Sequence, residues 1–396
     1  MRITSVTPIP VTLPTEREPM SFLFVRVETD NGLVGWGEAC DSYGCSFAGV
    51  LATAVTDAFA PLLVGQDIDS VELHAQRLRA WTRRRLGDDG VAGPARSAIE
   101  VALWDVVAQS AGRSVSHLLG RVRDRVAVYA SGGFLEEGDV GWHLEQLEPL
   151  LSRGVTMVKL RVGPSWASDI ATLAAVREAL DPTIEMMIDG SEIFTLPTAL
   201  EVAARLHDLG VRWFEEPIPQ PERAAIERLV KRSPVPIAYG EHLYCFDDAL
   251  DALRRHQLSV LQPDATTCGG ITEARRIAQL GASFGARVVP HVCAGPIALA
   301  ANLHVAASVA TIRAIEYPPS LLGAWRSLGR GALVGVEAIV DGMLPVPAGP
   351  GLGVELAEDT AAAHGYHPPR RLAGVRDTQL STVSSPLFPD RFAGDR

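Results

Sequence analysis

The sequence predicts an α/β fold in which a (β/α) barrel follows a smaller α+β domain. From about residue 126 onward, short apolar runs alternate with helical patterns, and eight such runs can be counted. Near-continuous apolar strands that alternate with helices are typical of a parallel sheet, and eight evenly spaced repeats favour a closed barrel over an open sheet. The residues before 126 lack this rhythm, which indicates a separate unit.

Residues 1–125 are predicted to form a small sheet with helices. Residues 2–11, 21–29 and 33–38 have the composition of strands, and an Asn-Gly pair between the last two suits a hairpin turn. The clearest helix covers residues 95–111, where apolar side chains recur at helical spacing. We expect these elements to form one α+β domain.

The barrel, residues 126–342, is predicted from its strands. They are residues 126–130, 157–161, 184–189, 211–215, 237–241, 259–264, 288–291 and 312–316. Helical patterns such as residues 168–180 and 271–280 lie between them. The carboxyl ends of barrel strands share one mouth, so the residues that end these strands are the candidates for an active site.

Residues 343–396 are predicted to depart from the barrel repeat. Residues 343–357 look like an extended, turn-rich segment that returns toward the N-terminal domain. The final stretch carries several prolines and is expected to be an arm or a partly disordered tail. These prolines are Pro368, Pro369, Pro386 and Pro389.

The composition is that of an ordinary globular chain, with 396 residues of which 47% are hydrophobic and 21% charged. The net charge of -11 argues against bulk affinity for nucleic acid or an anionic membrane. A small anionic substrate stays possible, because a metal ion and local cations set the field inside a cleft. The five cysteines are too few and too dispersed for a disulfide framework. With no signal peptide and no apolar run near the ~20 residues of a membrane span, we expect a cytoplasmic protein.

Three predicted strands end in a carboxylate, and about 25 residues, the length of one strand-helix unit, separate each from the next. These carboxylates are Asp189, Glu215 and Glu241. A carboxylate at the end of a buried strand is costly unless it has a partner. A shared divalent cation would be such a partner, and an all-oxygen ligand set favours Mg2+ first and Mn2+ second. Mg2+ keeps open positions, so it can bind a substrate carboxylate and acidify the adjacent carbon.

Charged residues at the other strand ends suit removal of a proton next to a carboxylate. Lys159 and Arg161 are two residues apart on one strand and therefore face the same side. His291 on the seventh strand is the candidate base, and Asp264 on the sixth would fix its tautomer and raise its basicity. The alternative for His291 is a core histidine with only a packing role. Glu316 ends the eighth strand.

Together these residues resemble the enolase superfamily, and within it the mandelate racemase subgroup. The resemblance covers nearly the whole chain and rests on the order of the strand-end residues and on several motifs. These motifs are Ser97-Ala98-Ile99 with Ala102-Leu103-Trp104-Asp105, Trp213-Phe214-Glu215-Glu216-Pro217, Gly240-Glu241-His242, Gln262-Pro263-Asp264 with Gly269-Gly270, and Val289-Pro290-His291. The resemblance implies a modified TIM barrel with an N-terminal capping domain.

The resemblance also implies roles for single residues. The metal ligands would be Asp189, Glu215 and Glu241, and the general acid/base pair would be Asp264 and His291. Lys159 would stabilise the enediolate that follows proton abstraction, and Glu316 would hydrogen-bond the substrate carboxylate. Glu216 should point to the other side of its strand and would be a poorer ligand.

Two positions depart from the racemase pattern. Relatives that racemise carry a second lysine, the base on the opposite face, where this chain has Arg161, and the racemase carries asparagine where this chain has Ser191. Arginine, with a pKa above about 12, is a poor base, so one-base chemistry is favoured. We therefore expect β-elimination of water from a sugar acid, an aldonate or aldarate, to give a 2-keto-3-deoxy acid. His291 would remove the α-proton and return it to the departing hydroxyl.

Other functions stay open. A cycloisomerase acting on an aldarolactone, or an epimerase or racemase of a hydroxy acid, would use the same enediolate, and a non-catalytic binding protein could share the scaffold. Substrate contacts are expected from the capping-domain residues 14–22 and 40–47, with Tyr43, Ser191 and His242 as candidates. We expect a homo-oligomer that binds a small anionic sugar acid or lactone, with no nucleic-acid or membrane partner.

Overall fold

The computed structural model describes residues 1–14, 19–68, 70–331, 333 and 335–368. Within these residues the chain forms an antiparallel sheet near the N-terminus and a nine-stranded, mainly parallel sheet that curls into a barrel. The predicted α/β fold class is confirmed. None of the helices in the described ranges combines the length and the apolarity that a membrane crossing requires.

The N-terminal domain is built on a three-stranded antiparallel sheet with the order β1-β2-β3. The strands are β1 (Ile3–Leu13), β2 (Met20–Thr29) and β3 (Val34–Ala39). The helices that follow are α1 (Ala48–Ala54), α2 (Ala60–Leu63), α3 (Val71–Thr82), α4 (Ala92–Ser110) and α5 (Val115–Leu118). The predicted strands and the predicted helix at residues 95–111 are therefore present, with small shifts at their ends.

Helix α4 approaches the sheet closely at two glycines of β3. A Cβ atom at Gly35 would lie 2.2 Å from the carbonyl oxygen of Ala102, and one at Gly37 would lie 1.7 Å from that of Ala98. No side chain fits at these distances, so the contact between helix and strand requires glycine at both positions.

All eight predicted barrel strands are present. They are β4 (Arg125–Phe134), β5 (Met157–Arg161), β6 (Glu185–Asp189), β7 (Phe214–Glu215), β8 (Ile237–Tyr239), β9 (Val260–Leu261), β10 (Arg287–Val288) and β11 (Ala314–Tyr317). The main helices that follow them are α6 (Val140–Leu151), α7 (Trp166–Ala179), α8 (Leu196–Asp208), α9 (Arg223–Arg232), α10 (Phe246–Asp251), α11 (Ile271–Ser283), α12 (Pro296–Ser308) and α13 (Leu322–Leu328). Strands β4 to β10 pair in parallel in chain order, and β11 returns to pair with β4. A backbone hydrogen bond from Glu316 N to Pro290 O, 3.3 Å long, joins the two remaining edges.

After the barrel the chain returns to the N-terminal domain. Strand β13 (Met343–Pro345) pairs antiparallel with β4, while β12 (Gly329–Gly331) pairs with β14 (Val354–Leu356). Leu352 N donates to Asp105 on α4 at 2.8 Å, and a last helix, α14, covers Glu358–Ala363. The domain limits at residues 125 and 342 stay predictions. Residues 369–396, most of the predicted tail, lie outside the described residues.

Buried carboxylates of the N-terminal domain bind the first turns of two barrel helices. Glu38 on β3 accepts hydrogen bonds from Gly295 N at 2.5 Å and Ala298 N at 2.9 Å, at the start of α12. Glu100 on α4 accepts from two N–H groups at the start of α11, at 2.7 and 3.0 Å. N–H groups in the first turn of a helix have no partner within the helix, so these carboxylates satisfy them. They also fix the N-terminal domain against the helices that follow β9 and β10.

Replacement of Glu38 by glutamine is expected to make stability less dependent on pH. Burial raises the pKa of Glu38 to about 8, although the N–H donors of Ala298 and Gly295 lower it. Since an unfolded glutamate has a pKa of about 4.3, the wild type should lose stability as the pH rises from about 4 to about 8. The amide of the variant does not ionise, so its stability should change less than that of the wild type over the same pH range.

Urea denaturation at several pH values measures this difference. The matched control is Glu201→Gln on the exposed face of α8, which should follow the wild-type profile. If the free energies of unfolding of the wild type and of Glu38→Gln changed in parallel with pH, Glu38 would not titrate with a raised pKa in the folded protein.

Candidate active site

The carboxyl ends of the barrel strands bring the predicted site residues to one mouth. Lys159 and Arg161 lie on β5, and parallel pairing places Arg161 level with Asp189 at the end of β6. The next pairing places Asp189 level with Glu215 at the end of β7. The remaining predicted residues lie on β11 or shortly after β8, β9 and β10, and they are Glu316, Glu241, Asp264 and His291.

Lys159 is fully buried among three carboxylates. Its Nζ donates to Glu215 Oε1 and lies 2.8 Å from Glu316 Oε1 and 3.6 Å from Asp189 Oδ2. Burial lowers the pKa of Lys159, but Glu215 and Glu316 outweigh burial and hold this pKa well above its usual value. Lys159 is therefore a fixed positive charge, suited to stabilise negative charge that develops on a bound substrate.

Arg161 is paired with the first predicted metal ligand. Its Nε donates to Asp189 Oδ2 at 3.0 Å, and its Nη1 donates to Gly132 O at 2.6 Å. Burial opposes the charge of Arg161, but Asp189 raises its pKa further above the usual value. Burial raises the pKa of Asp189. The charges of Lys159 and Arg161 outweigh burial and lower this pKa below its usual value. A guanidinium that stays charged supports the prediction that Arg161 does not act as a base.

Both carboxylate oxygens of Glu215 have hydrogen-bond donors. Oε1 accepts from Lys159, while Oε2 accepts from Gln262 Nε2 at 2.6 Å and from Trp213 Nε1 at 3.3 Å. Burial is the largest influence on Glu215 and raises its pKa to about 7, because the charge of Lys159 only partly offsets the lost hydration. An additional positive charge near Glu215 would therefore be stabilising.

Glu241 connects the mouth to the N-terminal domain. Its Oε1 accepts a hydrogen bond from Ser42 Oγ at 2.8 Å, and its Oε2 lies 3.6 Å from His291 Nε2. Ser42 lies in the loop after β3. A residue of the N-terminal domain thus holds one of the predicted metal ligands in place.

The charges at the mouth fit a divalent cation at Asp189, Glu215 and Glu241. Together with Glu316, these residues place four carboxyl groups at the mouth, beside the two basic side chains of β5. The donors are all oxygens, which favours a hard cation such as Mg2+ over a soft one.

Two other groups of potential metal ligands are more compact than the group of Asp189, Glu215 and Glu241. In the described part of the chain, ligand atoms that all lie within 4.8 Å of one another occur in two sets of three residues. These sets are Cys40 with Asp264 and His291, and Glu192 with Glu216 and His242. Glu216, predicted to be a poorer ligand of the main site, lies with its Oε1 3.2 Å from His242 Nδ1.

His291 and Asp264 form a hydrogen-bonded pair. His291 Nδ1 lies 3.0 Å from Asp264 Oδ2. The other oxygen, Asp264 Oδ1, accepts from Thr266 N at 2.7 Å, Thr266 Oγ1 at 2.6 Å and Asn302 Nδ2 at 2.8 Å. These donors fix the orientation of Asp264, and a carboxylate facing Nδ1 favours the tautomer with the ring proton there, which leaves Nε2 to accept one.

The charge of Glu241 controls the basicity of His291. Burial lowers the pKa of His291, but Glu241, followed by Asp264, outweighs burial and holds this pKa well above its usual value. Positive charge bound at Glu241 would remove the largest of these contributions. The pKa would then return toward the neutral range in which imidazole acts as a general base.

The candidate substrate contacts lie around the mouth in different surroundings. Tyr43, in the loop after β3, is 51% exposed. Ser191 has a φ of 47° and binds Asp189 Oδ1 through its N–H at 2.7 Å and its hydroxyl at 3.2 Å. Burial opposes protonation of His242, but Glu216 raises the pKa of this histidine to about 10. Of the predicted loop 14–22, residues 15–18 lie outside the described residues.

Several residues that position the site were not predicted to do so. Trp213 and Gln262 belong to motifs noted in the sequence; Trp213 contacts Glu215 from two residues before it, whereas Gln262 reaches it from the segment after β9. Asn302 had a usable signal, since it is a polar residue within the wholly buried helix α12. Ser42 had none, because its contact with Glu241 exists only when the two domains are packed together.

Comparisons with known proteins agree with this geometry. Residues 2–120 match the family model described as mandelate racemase / muconate lactonizing enzyme, N-terminal domain, and residues 143–360 match the enolase C-terminal domain-like family. D-galactarolactone cycloisomerase from Agrobacterium fabrum is 32% identical over 361 residues, which cover 87% of this chain and 93% of that protein. Arabinonate dehydratase from Saccharolobus solfataricus is 31% identical over 293 residues, which cover 74% of this chain and 78% of that protein.

A solved structure extends the agreement to three dimensions. The crystal structure of the 3,6-anhydro-D-galactonate cycloisomerase from Zobellia galactanivorans has a TM-score of 0.83 to this chain at 28% sequence identity. The match covers 93% of this chain and 100% of that one. The resemblance noted in the sequence is confirmed, and the chain belongs to the enolase superfamily, in its mandelate racemase subgroup.

Proposed function

We propose that this enzyme is an acid-sugar dehydratase that converts an aldonate or aldarate to a 2-keto-3-deoxy acid. The observation that carries the proposal is the single acid/base pair at the mouth. His291 is held by Asp264 with Nε2 left to accept a proton, while the two basic residues of β5 are fixed as cations by carboxylates. One base on one face of the substrate suits elimination, in which the same group removes a proton and later returns it.

Asp189, Glu215 and Glu241 would hold the metal ion of the enzyme, for which Mg2+ is the best match and Mn2+ the second. Such an ion would supply positive charge next to the substrate carboxylate and so acidify the carbon beside it. The all-oxygen donors and the concentration of carboxyl groups at the mouth support this assignment.

The reaction follows from the positions of the side chains. His291 Nε2 takes the α-proton, and the electron pair of the broken C–H bond forms the enediolate. Lys159 stabilises the negative charge that develops on the substrate oxygens. The electron pair then forms the carbon–carbon double bond as the β-carbon–oxygen bond breaks. His291 returns its proton to the leaving hydroxyl, water departs, and the resulting enol takes a solvent proton at C3 to give the keto acid.

Glu316 is proposed to position Lys159 and to accept a hydrogen bond from the substrate. Burial would raise its pKa, but Lys159, followed by His291, outweighs burial and lowers the pKa to about 2. A carboxylate that stays ionised accepts hydrogen bonds but does not donate them. Its contact with Val292 N, 3.1 Å long, fixes its second oxygen.

The proposal is tested by incubating the purified enzyme, loaded with Mg2+, with a library of aldonates and aldarates. At least one member should yield a 2-keto-3-deoxy acid, detected as its semicarbazone. If no member of a broad library releases a keto acid, the enzyme is not a dehydratase of this substrate class.

Cycloisomerisation is the second candidate function. Two similar proteins named as cycloisomerases favour this function. The match covers 93% of the relative from Agrobacterium fabrum and 100% of the chain in the structure from Zobellia galactanivorans. Both reactions begin with the same proton abstraction, so the site is compatible with either. Proton NMR of the products separates them, because a cycloisomerase yields a ring-opened or ring-closed isomer and releases no water.

Replacement of Arg161 by lysine is expected to weaken dehydration and to introduce exchange at the opposite face of the substrate. Lysine cannot keep the two contacts that Arg161 makes with Asp189 and Gly132, so turnover should fall by about tenfold. An amine at this position can lose its proton, so the variant should invert part of its substrate and incorporate deuterium from solvent at the α-carbon.

The matched control is Arg212→Lys, because Arg212 forms a similar but exposed pair with Glu185. This control should behave as the wild type in both measurements. Unchanged dehydration in Arg161→Lys, without inversion or exchange, would show that Arg161 has no part in the reaction.

A further inference from the structure

A group of carboxyl side chains borders the proposed active site on the side of Glu241. This group, called the acidic rim, consists of Asp41, Glu192, Glu216 and His242. Potential ligand atoms of Glu192, Glu216 and His242 all lie within 4.8 Å of one another. The side chain of Glu192 is 27% exposed and that of His242 is 24% exposed. These two side chains therefore reach the opening of the site and are not part of the packed core.

Hydrogen bonds fix Glu192 in the acidic rim. Its N–H donates to Glu216 O at 2.7 Å, and its Oε1 accepts from Gln220 N at 2.6 Å. Gln220 Nε2 also donates to His242 O at 2.9 Å, so Gln220 connects Glu192 to the segment after β8. Glu192 is near enough to interact electrostatically with Glu241. Its carboxyl group therefore borders the opening through which a ligand reaches the proposed metal ligands.

The loop after β3 brings Asp41 to the same rim. Asp41 precedes Ser42, which binds Glu241 across the domain interface. The two carboxylate oxygens of Asp41 accept from Ser46, one from its N–H at 2.8 Å and the other from its Oγ at 3.2 Å. Asp41 is near enough to interact electrostatically with His242. The N-terminal domain thus contributes a carboxyl group that is held in place at the rim.

The chain of a bound sugar acid has to pass the acidic rim. In the proposed reaction its carboxylate lies at the metal ion and its α-carbon at His291. A hydrophobic cluster that includes Met187 and Trp213 fills the barrel below them, so the remaining carbons extend toward the opening. A hydroxyl group there can donate a hydrogen bond to a rim carboxylate. A second carboxylate can only accept hydrogen bonds, and the rim carboxylates would repel it.

We propose that the acidic rim selects aldonates over aldarates, with Glu192 as the main specificity-determining residue. The terminal group of an aldonate is a neutral hydroxyl, which the rim can bind, whereas that of an aldarate is a carboxylate, which the rim excludes. His242 does not offset this preference, because its Nδ1 is already paired within the rim, 3.2 Å from Glu216 Oε1 and 3.9 Å from Glu192 Oε1. The inference rests on the proposed function, which includes both classes of substrate.

Turnover of matched pairs of acid sugars tests the selection. The members of each pair differ only at the terminal carbon, and the pairs are threonate with tartrate, gluconate with glucarate, and galactonate with galactarate. In the Mg2+-loaded wild type, kcat/KM should be higher for the aldonate of a pair by about 10- to 100-fold. Glu192→Gln should reduce this ratio at least about tenfold by raising kcat/KM for the aldarate, because the neutral amide can donate to a carboxylate.

The matched control is Glu201→Gln, which removes an exposed carboxyl group on α8 and should keep the wild-type ratio. Asp41→Asn is a second rim variant and should shift the ratio in the same direction, so the test does not depend on the folding of one variant. Circular dichroism checks each fold. If the wild type turned over aldarates as well as aldonates, or if both rim variants kept the wild-type ratio, the selection would be overturned and the dehydratase would remain.

A binding measurement separates this inference from the proposed function. Calorimetric titration of a Mg2+-loaded His291→Asn variant with the same pairs requires no turnover. Tighter binding of the aldonate in a pair would support the selection, even if the wild type released no keto acid and so was not a dehydratase. Equal or weaker binding of the aldonates, or no binding of any acid sugar, would overturn the selection.

Discussion

Replacement of His291 by asparagine is expected to lower the turnover of the sugar acid by about 10²- to 10⁴-fold, the usual contribution of a general acid/base group. Asparagine can still accept and donate a hydrogen bond near Asp264, so the fold should be kept. It cannot take up the α-proton, so both halves of the elimination fail. Turnover is measured from the release of 2-keto-3-deoxy acid, and circular dichroism checks the fold.

The control for this change is His207→Asn, an exposed histidine at the end of α8. This variant should keep full activity. If His291→Asn retained wild-type turnover, His291 would be a packing histidine, and a different group would have to remove the proton. If wild type and variant were both inactive on every acid sugar, the idea of a non-catalytic binding protein would regain support.

Replacement of Glu215 by glutamine is expected to weaken Mg2+ binding by on the order of 100-fold or more, because it removes a ligand and its charge from the metal site. Activity at ordinary Mg2+ concentrations should fall with it. Calorimetric titration with Mg2+ measures the affinity directly, without a substrate. Glu201→Gln, on the exposed face of α8, is the control and should bind Mg2+ as the wild type does.

Glu215→Gln should also make the stability of the metal-free protein less dependent on pH. Burial raises the pKa of Glu215 to about 7. Because this value lies above that of an unfolded glutamate, ionisation of Glu215 destabilises the metal-free protein as the pH rises through about 4 to 7. The neutral variant does not ionise there, so between about pH 4 and 7 its stability should change less than that of the metal-free wild type. Unchanged Mg2+ affinity would remove Glu215 from the metal site.

Much of the barrel could be predicted because its strands carry a repeated local signal. Each apolar run is bounded by a helix pattern, and the charged residue at its end marks the mouth. The limits of the strands were less predictable. The strand predicted at residues 259–264 is regular only at Val260–Leu261, although Ser259, Gln262 and Pro263 still form backbone hydrogen bonds with the segments on either side.

The contacts that tune the site could not be predicted from local pattern. Ser42 reaches Glu241 across a domain interface, and Gln262 reaches Glu215 from a strand two places further along the barrel. Such contacts depend on docking angle and barrel closure, which leave no periodic trace in the sequence. The proximity of Cys40 to His291 was hidden for the same reason, since about 250 residues of chain, roughly one whole barrel, separate them.

The central claim is that one base, His291, removes the α-proton and that water then leaves. Running the reaction in deuterium oxide and examining the product by proton NMR tests this most directly. The mechanism predicts a 2-keto-3-deoxy acid with a single deuterium at C3. It also predicts that the remaining substrate contains no inverted molecules with deuterium at the α-carbon. A product that keeps all its oxygens and carries deuterium at an inverted or ring-opened carbon would contradict elimination and assign the enzyme to the isomerases.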